Sequence, residues 1–315
     1  MKAALVTGAG AAAVLAYPLL VRGPYPQHLM ILVLLNALLG TAWNILGGFA
    51  GQISLGQAIF FGAGAYTSTL LAQHAALSPW LGMLAGAGVA AVLALAVGYP
   101  FFRLSGHYFA IATIALGEIA AIVVTNWDFA GGAVGLFLPV EGTGLAAMKF
   151  EGKLGYHYLL CGLLALAVAL SVWLRGARAG YYWRAIREDE PAARSAGVPA
   201  TRYKQLAFAV ASALTAMAGT FYAQYVLFID PPSVLPLSLS IQICLVTVLG
   251  GAGTIVGPLL GAAVLVPLSA ATSVLLGGSG RSLDLVVYGA LIMLIAAFEP
   301  SGLIGFARRL RARVQ

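Results

Sequence analysis

Residues 184–204 read RAIREDEPAARSAGVPATRYK. This is the longest strongly charged segment in a chain that is otherwise mostly apolar, and it lies between hydrophobic runs of membrane-spanning length. A charged, ordered element held between such runs serves contact with something soluble. Arg184 and Glu188 stand four residues apart and could pair on one helical face. Pro191 cannot continue that helix, because its ring would clash with the carbonyl four residues back. It can open a new one, since proline suits the first helical position. Asp189 and Glu190 would then favour the positive end of the new helix dipole. Ala192, Ala193 and Ala196 give that helix a small-residue surface, Gly197 stops it and Pro199 bars its resumption. The expectation is a short helix of about two turns lying parallel to the membrane. Its docking residues are Arg184, Arg187, Glu188, Asp189, Glu190, Ala192, Ala193 and Gly197. The plainer alternative is a solvated loop that only sets topology.

Outside this stretch the composition is decisive. Hydrophobic residues make up 61% of the chain and charged residues 9%, whereas soluble domains carry about 25% charged residues. Mean hydropathy is +0.95. In lipid only helices and closed barrels satisfy every backbone group. The apolar runs approach the ~20 residues of a spanning helix rather than short alternating strands. The fold class is therefore all-α, a polytopic membrane protein. The 39 glycines fit that class, because small residues let membrane helices approach closely. The net charge of +7 does not indicate nucleic acid, since the basic residues flank apolar runs instead of forming a patch. Cys161 and Cys244 lie inside apolar runs and read as small buried hydrophobes. No CxxC metal pattern or disulfide framework is present.

Ten helices are expected in a single transmembrane domain spanning residues 1–315. The first run, ending at Val21, resembles a signal peptide as much as a retained helix. Leu29 to Leu46 is a clear second helix, broken by Gly47-Gly48. Residues 49–71 are long enough to span but carry Gln52, Ser54, Gln57, Tyr66, Thr67 and Ser68. Gln52, Gly56 and Phe60 would share a helical face. Amides are costly against lipid, so that face should look inward, toward a translocation path or a packing partner. Helices four to six are Pro79–Phe102, Tyr108–Asn126 and Tyr156–Leu174. The fifth contains Thr113 and also Glu118, an acidic residue well inside a span and either a pathway group or a helix lock. Residues 127–155 form a loop. Gln205–Phe228, Leu237–Leu249, Thr254–Leu276 and Leu283–Phe298 complete the set. Gly253, Gly257 and Gly261 form a small-residue packing face on the ninth helix. Leu46-Gly47-Gly48 is echoed by Leu249-Gly250-Gly251, a weak sign of two related halves.

Ten spans put 13 of the 17 basic residues on the side that carries the charged stretch, the termini and the basic tail 301–315. The positive-inside rule makes that side cytoplasmic. Residues 176–204 are then a cytoplasmic loop and 127–155 an external one.

Several segments together carry a resemblance. They are Arg184 to Gly197 with Arg202-Tyr-Lys204 and Leu206-Ala-Phe208, then Gly51-Gln-Ile-Ser-Leu-Gly-Gln-Ala58 and Gly62-Ala-Gly-Ala-Tyr66. Tyr108-Phe-Ala-Ile-Ala-Thr113, Leu116-Gly-Glu118-Ile119 and Gly251-x-Gly253-Thr254-x-x-Gly257-Pro258 complete the set. This set resembles branched-chain amino acid ABC transporter permeases of the LivM type. Ala192-Ala193-x-x-x-Gly197 looks like the alanine-glycine core of import permeases, with Pro191 where those proteins place a glutamate and Glu190 one position earlier. Where relatives often carry a proline-asparagine-glycine turn, this chain reads Gly131-Gly132-Ala-Val-Gly135.

The resemblance implies an inner-membrane permease subunit for leucine, isoleucine and valine, with urea or amides as related substrates. It implies a second, LivH-type permease, two ATP-binding cassette subunits and a periplasmic binding protein as partners, in a lipid bilayer and without nucleic acid. No cofactor is expected on this chain, ATP being hydrolysed by the partner subunits. Consistent with this, the chain has no GxxxxGK[ST] phosphate loop and neither HExxH nor GxSxG. It is expected not to be an enzyme. Gln52, Ser54, Gln57, Tyr66, Thr113 and Glu118 would border the path. An ion-coupled secondary transporter would need a deep ion site, for which Glu118 alone is thin support. An intramembrane enzyme is poorly served, because His28, His74, His107 and His157 all lie near helix ends.

Overall fold

The computed structural model describes residues 12–21, 23–104, 106–138, 144–275, 289 and 302–305. Helix α1 covers residues 12–20. It is followed by α2 (Pro24–Asn44), α3 (Gln57–Ala75), α4 (Pro79–Phe101), α5 (His107–Thr125) and α6 (Lys153–Gly176). Two short helices, α7 (Arg178–Glu188) and α8 (Glu190–Ser195), then lead into α9 (Ala200–Val226). The series continues through α10 (Pro231–Val234), α11 (Leu237–Gly250) and α12 (Gly257–Leu275). Six of the helical segments described are long and apolar enough to cross a membrane, so the polytopic all-α expectation holds. Apart from residue 289, the tenth expected helix lies outside the described residues, as does the basic tail except for residues 302–305, which are helical.

Helix starts follow the prolines. Pro24 and Pro79 open α2 and α4 at their first turns, where a missing N–H costs nothing. The third helix differs from expectation. Residues 50–56 are not helical, and α3 begins only at Gln57. The Gly47-Gly48 pair does not break the second helix either. It lies in a π turn, Ile45–Phe49, that extends α2. The break comes at Gly51, whose φ of +71° suits glycine. Gln52 and Ser54 therefore sit in a loop at the end of the bundle, and no helical face joins Gln52 to Phe60.

The most deeply buried of the six spans is α2. Packing around α3 depends on small residues. A Cβ on Gly64 would run into the Ala216 backbone of α9, and one on Gly86 of α4 would lie 3.0 Å from the Gly64 Cα. Gly82 meets Ser68 in the same way, and Gly219 of α9 lies against the Phe61 carbonyl. Close backbone approach of this kind replaces the hydrophobic drive that lipid does not supply. Gly257 and Gly261 on α12 pack on Gly251 and Val246. Gly253 does not belong to that face, because it lies before α12 with a φ of +82°.

Hydrogen bonds sort the loops into two ends. At one end Lys153 Nζ donates to the Pro24 carbonyl (2.6 Å), Gln73 Nε2 to Phe137 (2.7 Å) and Trp80 Nε1 to Leu145 (2.8 Å). There β1 (Leu136–Phe137) pairs antiparallel with β2 (Phe228–Ile229), tying the 127–155 loop to the end of α9. The other end gathers residues 43–56, 175–204 and 250–257, and it carries the charged stretch.

Candidate coupling site

Helix α7 is amphipathic. Trp183 and Ile186 are buried, and Trp183 Nε1 donates to the Tyr203 carbonyl at 2.8 Å. At Asp189 the chain turns. Its carboxylate accepts from the Ala192 N–H (3.0 Å), capping α8, and Pro191 sits in the first turn. The short helix inferred from Pro191 and Gly197 is thus present, spanning six residues. Gly197 follows with a φ of +85°.

Glu190 turns back toward the bundle. It pairs with Arg194 (2.7 Å) and with Lys204, whose side chain is only 2% exposed and lies over the Phe102 ring. Burial pushes the Glu190 carboxyl up, but Lys204 and then Arg194 outweigh it and hold the group below the usual carboxylate range. Ala193 is buried against Ile186 and Ala200. Ala192, Arg194, Ser195 and Ala196 face outward. The small-residue surface is therefore split: Ala192 and Ala196 are free, whereas Ala193 packs inward. Arg184 does not reach for Glu188. Its Nε donates to the Gly180 carbonyl (3.2 Å) and its guanidinium lies 4.6 Å from the Tyr181 ring centre. Glu188 and Asp189 are exposed.

Arg187 links this elbow to the bundle. Its Nη1 donates to the Gly48 carbonyl at 2.5 Å. Its stem packs on Gly51, where an added Cβ would lie 3.0 Å from Arg187 Cγ, and a Cβ on Gly253 would collide with Arg187 Nη1. Asn44 completes the junction. Its Oδ1 accepts from the Gly253 N–H and its Nδ2 donates to the Thr254 carbonyl, both at 2.8 Å. The ends of α2 and α11, where the echoed Leu-Gly-Gly triplets lie, and the loops that follow them thus meet at one guanidinium and one amide.

The residues expected along a path divide into three groups. Ser54, Gln57 and Thr113 gather at the foot of α3 and are buried. Thr113 Oγ1 accepts from the Leu55 N–H (3.0 Å), and Gln57 Oε1 accepts from Thr215 (3.4 Å). Gln57 Nε2 and the buried Tyr66 hydroxyl have no hydrogen-bond partner. Gln52 is half-buried in the loop, with Nε2 3.4 Å from the Ala50 carbonyl. Glu118 stands apart, exposed on α5. A separate cavity of about 320 Å³ is lined in part by Asn36, Phe61, Tyr222, Ser233 and Gln242, with Gln242 Nε2 donating to Asn36 Oδ1 at 3.1 Å. Sequence reasoning missed Asn36, Asn44 and Lys204 as site residues. Asn44 had a signal, an amide one turn before Gly47-Gly48 in an apolar run. Lys204 was read as the end of the charged stretch, as part of the Arg202-Tyr-Lys204 motif and as a topology charge, but not as a site residue.

Comparison with known proteins agrees in one direction. The family described as “Branched-chain amino acid transport system / permease component” matches residues 25–296. The chain is 31% identical to the high-affinity branched-chain amino acid transport system permease protein LivM of Salmonella typhimurium, over 93% of this chain and 73% of that protein. Against the Escherichia coli LivM protein it is 30% identical, over 88% and 69%. Similarity extends to the LivH permease protein of Salmonella typhimurium, at 23% identity over 85% and 91%. No solved structure gives a significant match.

Proposed function

The chain belongs to the family of branched-chain amino acid transport system permease components, and from that premise we propose that it forms one half of the membrane pathway of an ATP-driven importer of leucine, isoleucine and valine. A second, LivH-type permease forms the other half. Two ATP-binding subunits drive the complex, one of them docking at the α7–α8 elbow of this chain, and a binding protein delivers substrate at the end that carries β1 and β2. The elbow faces the cytoplasm, in accord with the positive-inside rule. The chain supplies no ATPase site and binds no cofactor of its own.

The observation that carries this reading is Arg187. A soluble subunit gripping Ala192, Arg194 and Ala196 would move α7 as well, since α8 follows it without an intervening loop. Arg187 then carries the motion to Gly48 at the end of α2, to Gly51 in the loop that leads to α3, and to Gly253 in the loop that leads to α12. These two helices begin at loops rather than continuing from α2 and α11, so they can tilt with little cost to the preceding spans. At the foot of α3, the unpaired Gln57 amide offers a polar group to a solute, and higher on the same helix the Tyr66 hydroxyl does likewise. Neither is charged, which suits a zwitterion with an aliphatic side chain.

The test is Arg187→Met, which keeps the stem on Gly51 and removes the donor to Gly48. In proteoliposomes holding the full complex, the ATP-binding subunits should still co-purify. ATP-driven leucine uptake should fall about tenfold, within the range typical of coupling between distant sites. Unchanged uptake with intact assembly would remove Arg187 from the coupling route. Uptake that collapses with the ion gradient while ATP is held constant would remove the importer reading itself.

A further inference from the structure

Among the six spans, α5 is the least covered. Its two buried residues, Phe109 and Thr113, lie near its start. There Phe109 stacks on Phe102 with ring centres 5.1 Å apart, and Thr113 receives the Leu55 N–H. Beyond that foothold one face is bare. Tyr108, Ile111, Ala115, Glu118 and Ile122 are all exposed. They recur at alternating steps of three and four residues, the spacing of a helix–helix seam.

Bare apolar faces also occur on α4 and α6, through Leu84 and Val92 and through Leu166 and Trp173. Those faces suit lipid. The α5 face differs because Glu118 lies on it. Among the described residues this is the charged side chain that stands deepest within a spanning helix, away from either end. A carboxylate against hydrocarbon is expensive, and such groups face protein or a water-filled cavity. The helix is also recessed beside it, since a Cβ on Gly117 would meet nothing within 4 Å.

We infer that the Tyr108–Ile122 face of α5 is the seam with the second permease subunit, a chain related to this one that presents a hydrogen-bond donor opposite Glu118. The inference rests on the importer reading above. A second copy of this chain fits the seam poorly. A two-fold axis along the membrane normal keeps both copies at one depth, so each Glu118 would approach its twin. Like charges are strongly disfavoured away from water.

The experiment uses the whole complex, expressed in bacterial membranes with a photo-crosslinking benzoylphenylalanine at Ile122 and, as a control, at Leu166 on α6. The importer reading is checked first: if the unmodified chain brings down no second permease, that reading fails and the seam falls with it. Given a co-purifying permease, the seam requires an adduct with that chain from Ile122 and not from Leu166. Lipid adducts alone at Ile122, an adduct with a second copy of this chain, or a partner adduct only from Leu166 would each overturn it. Glu118→Leu should lower the co-purified partner about three- to twenty-fold, the span expected of interhelical polar contacts in membranes. Glu118→Gln should retain it within about twofold. Full retention with Glu118→Leu would refute the donor opposite Glu118.

Discussion

Replacing Glu190 by alanine should loosen α8 far more than replacing Lys204 by methionine, although the two form one ion pair. Breaking a buried pair from one side costs roughly 3–5 kcal/mol, because the remaining charge is stranded. The partners are not equally buried: Lys204 is 2% exposed and Glu190 27%. Glu190→Ala strands an ammonium in a nearly dry site. Its contact with the Phe102 ring and water entering the vacated volume offset part of the cost, leaving about 2 kcal/mol. Lys204→Met strands a carboxylate that still holds Arg194 and reaches water, and methionine refills the lysine volume. That change should cost about 1 kcal/mol or less.

The assay is hydrogen exchange at the Ala193 and Ala196 amides, which donate to the Asp189 and Ala192 carbonyls, both at 3.0 Å. Their local opening should rise about 30-fold in Glu190→Ala and about fivefold at most in Lys204→Met. The double variant, with no stranded charge, should open less than Glu190→Ala alone. Equal opening in the two single variants, or a double variant no better than Glu190→Ala, would refute the burial argument.

Two further outcomes follow from the same elbow. Because the Glu190 carboxyl is held below its usual range, its stabilisation is complete above the ordinary carboxylate pKa of about 4.3. It is lost as pH falls through the depressed value. Exchange at α8, corrected for intrinsic rate, should therefore be flat from pH 8 to about 5 and should rise only in strong acid. Separately, Ala192→Trp should leave thermal stability unchanged while abolishing pull-down of the ATP-binding subunits. Ala193→Trp overfills a buried contact with Ile186 and Ala200. It should lower the apparent midpoint in a fluorescence-based thermal melt, in line with the ~1–3 kcal/mol of overpacking.

The spans were legible because apolar length is a strong signal, and α4, α5 and α11 lie within a residue or two of where the sequence places them. The α7–α8 elbow was legible for a different reason. Pro191 and Gly197 are backbone constraints that act locally, so no tertiary knowledge is needed to see a helix between them. The third helix was misplaced because composition does not distinguish a polar helix from a polar loop. At the break Gly51, with its positive φ, packs against Arg187, a partner 136 positions away. The inward turn of Ala193 and Glu190 was hidden likewise. It depends on Lys204 and Phe102, which reach the site only after α4 and α9 pack together. Gly253 was assigned to a helix face by spacing alone, and the Asn44 amide holds it in a loop instead.

The π turn at Ile45–Phe49 has a consequence for chain length itself. Such a turn holds one residue more than the α-helical turn it replaces. Delete one residue from this segment and α2 can close as a regular helix, because the wider turn takes up the extra residue while keeping the direction of the chain on either side of it. What changes is the turn itself, and the Gly48 carbonyl that accepts from Arg187 lies within it. At this place the protein stores information in a count as well as in side chains. Two sequences with the same glycines, the same arginine and the same asparagine would differ in wiring if their tallies between Asn44 and Gly51 differed by one.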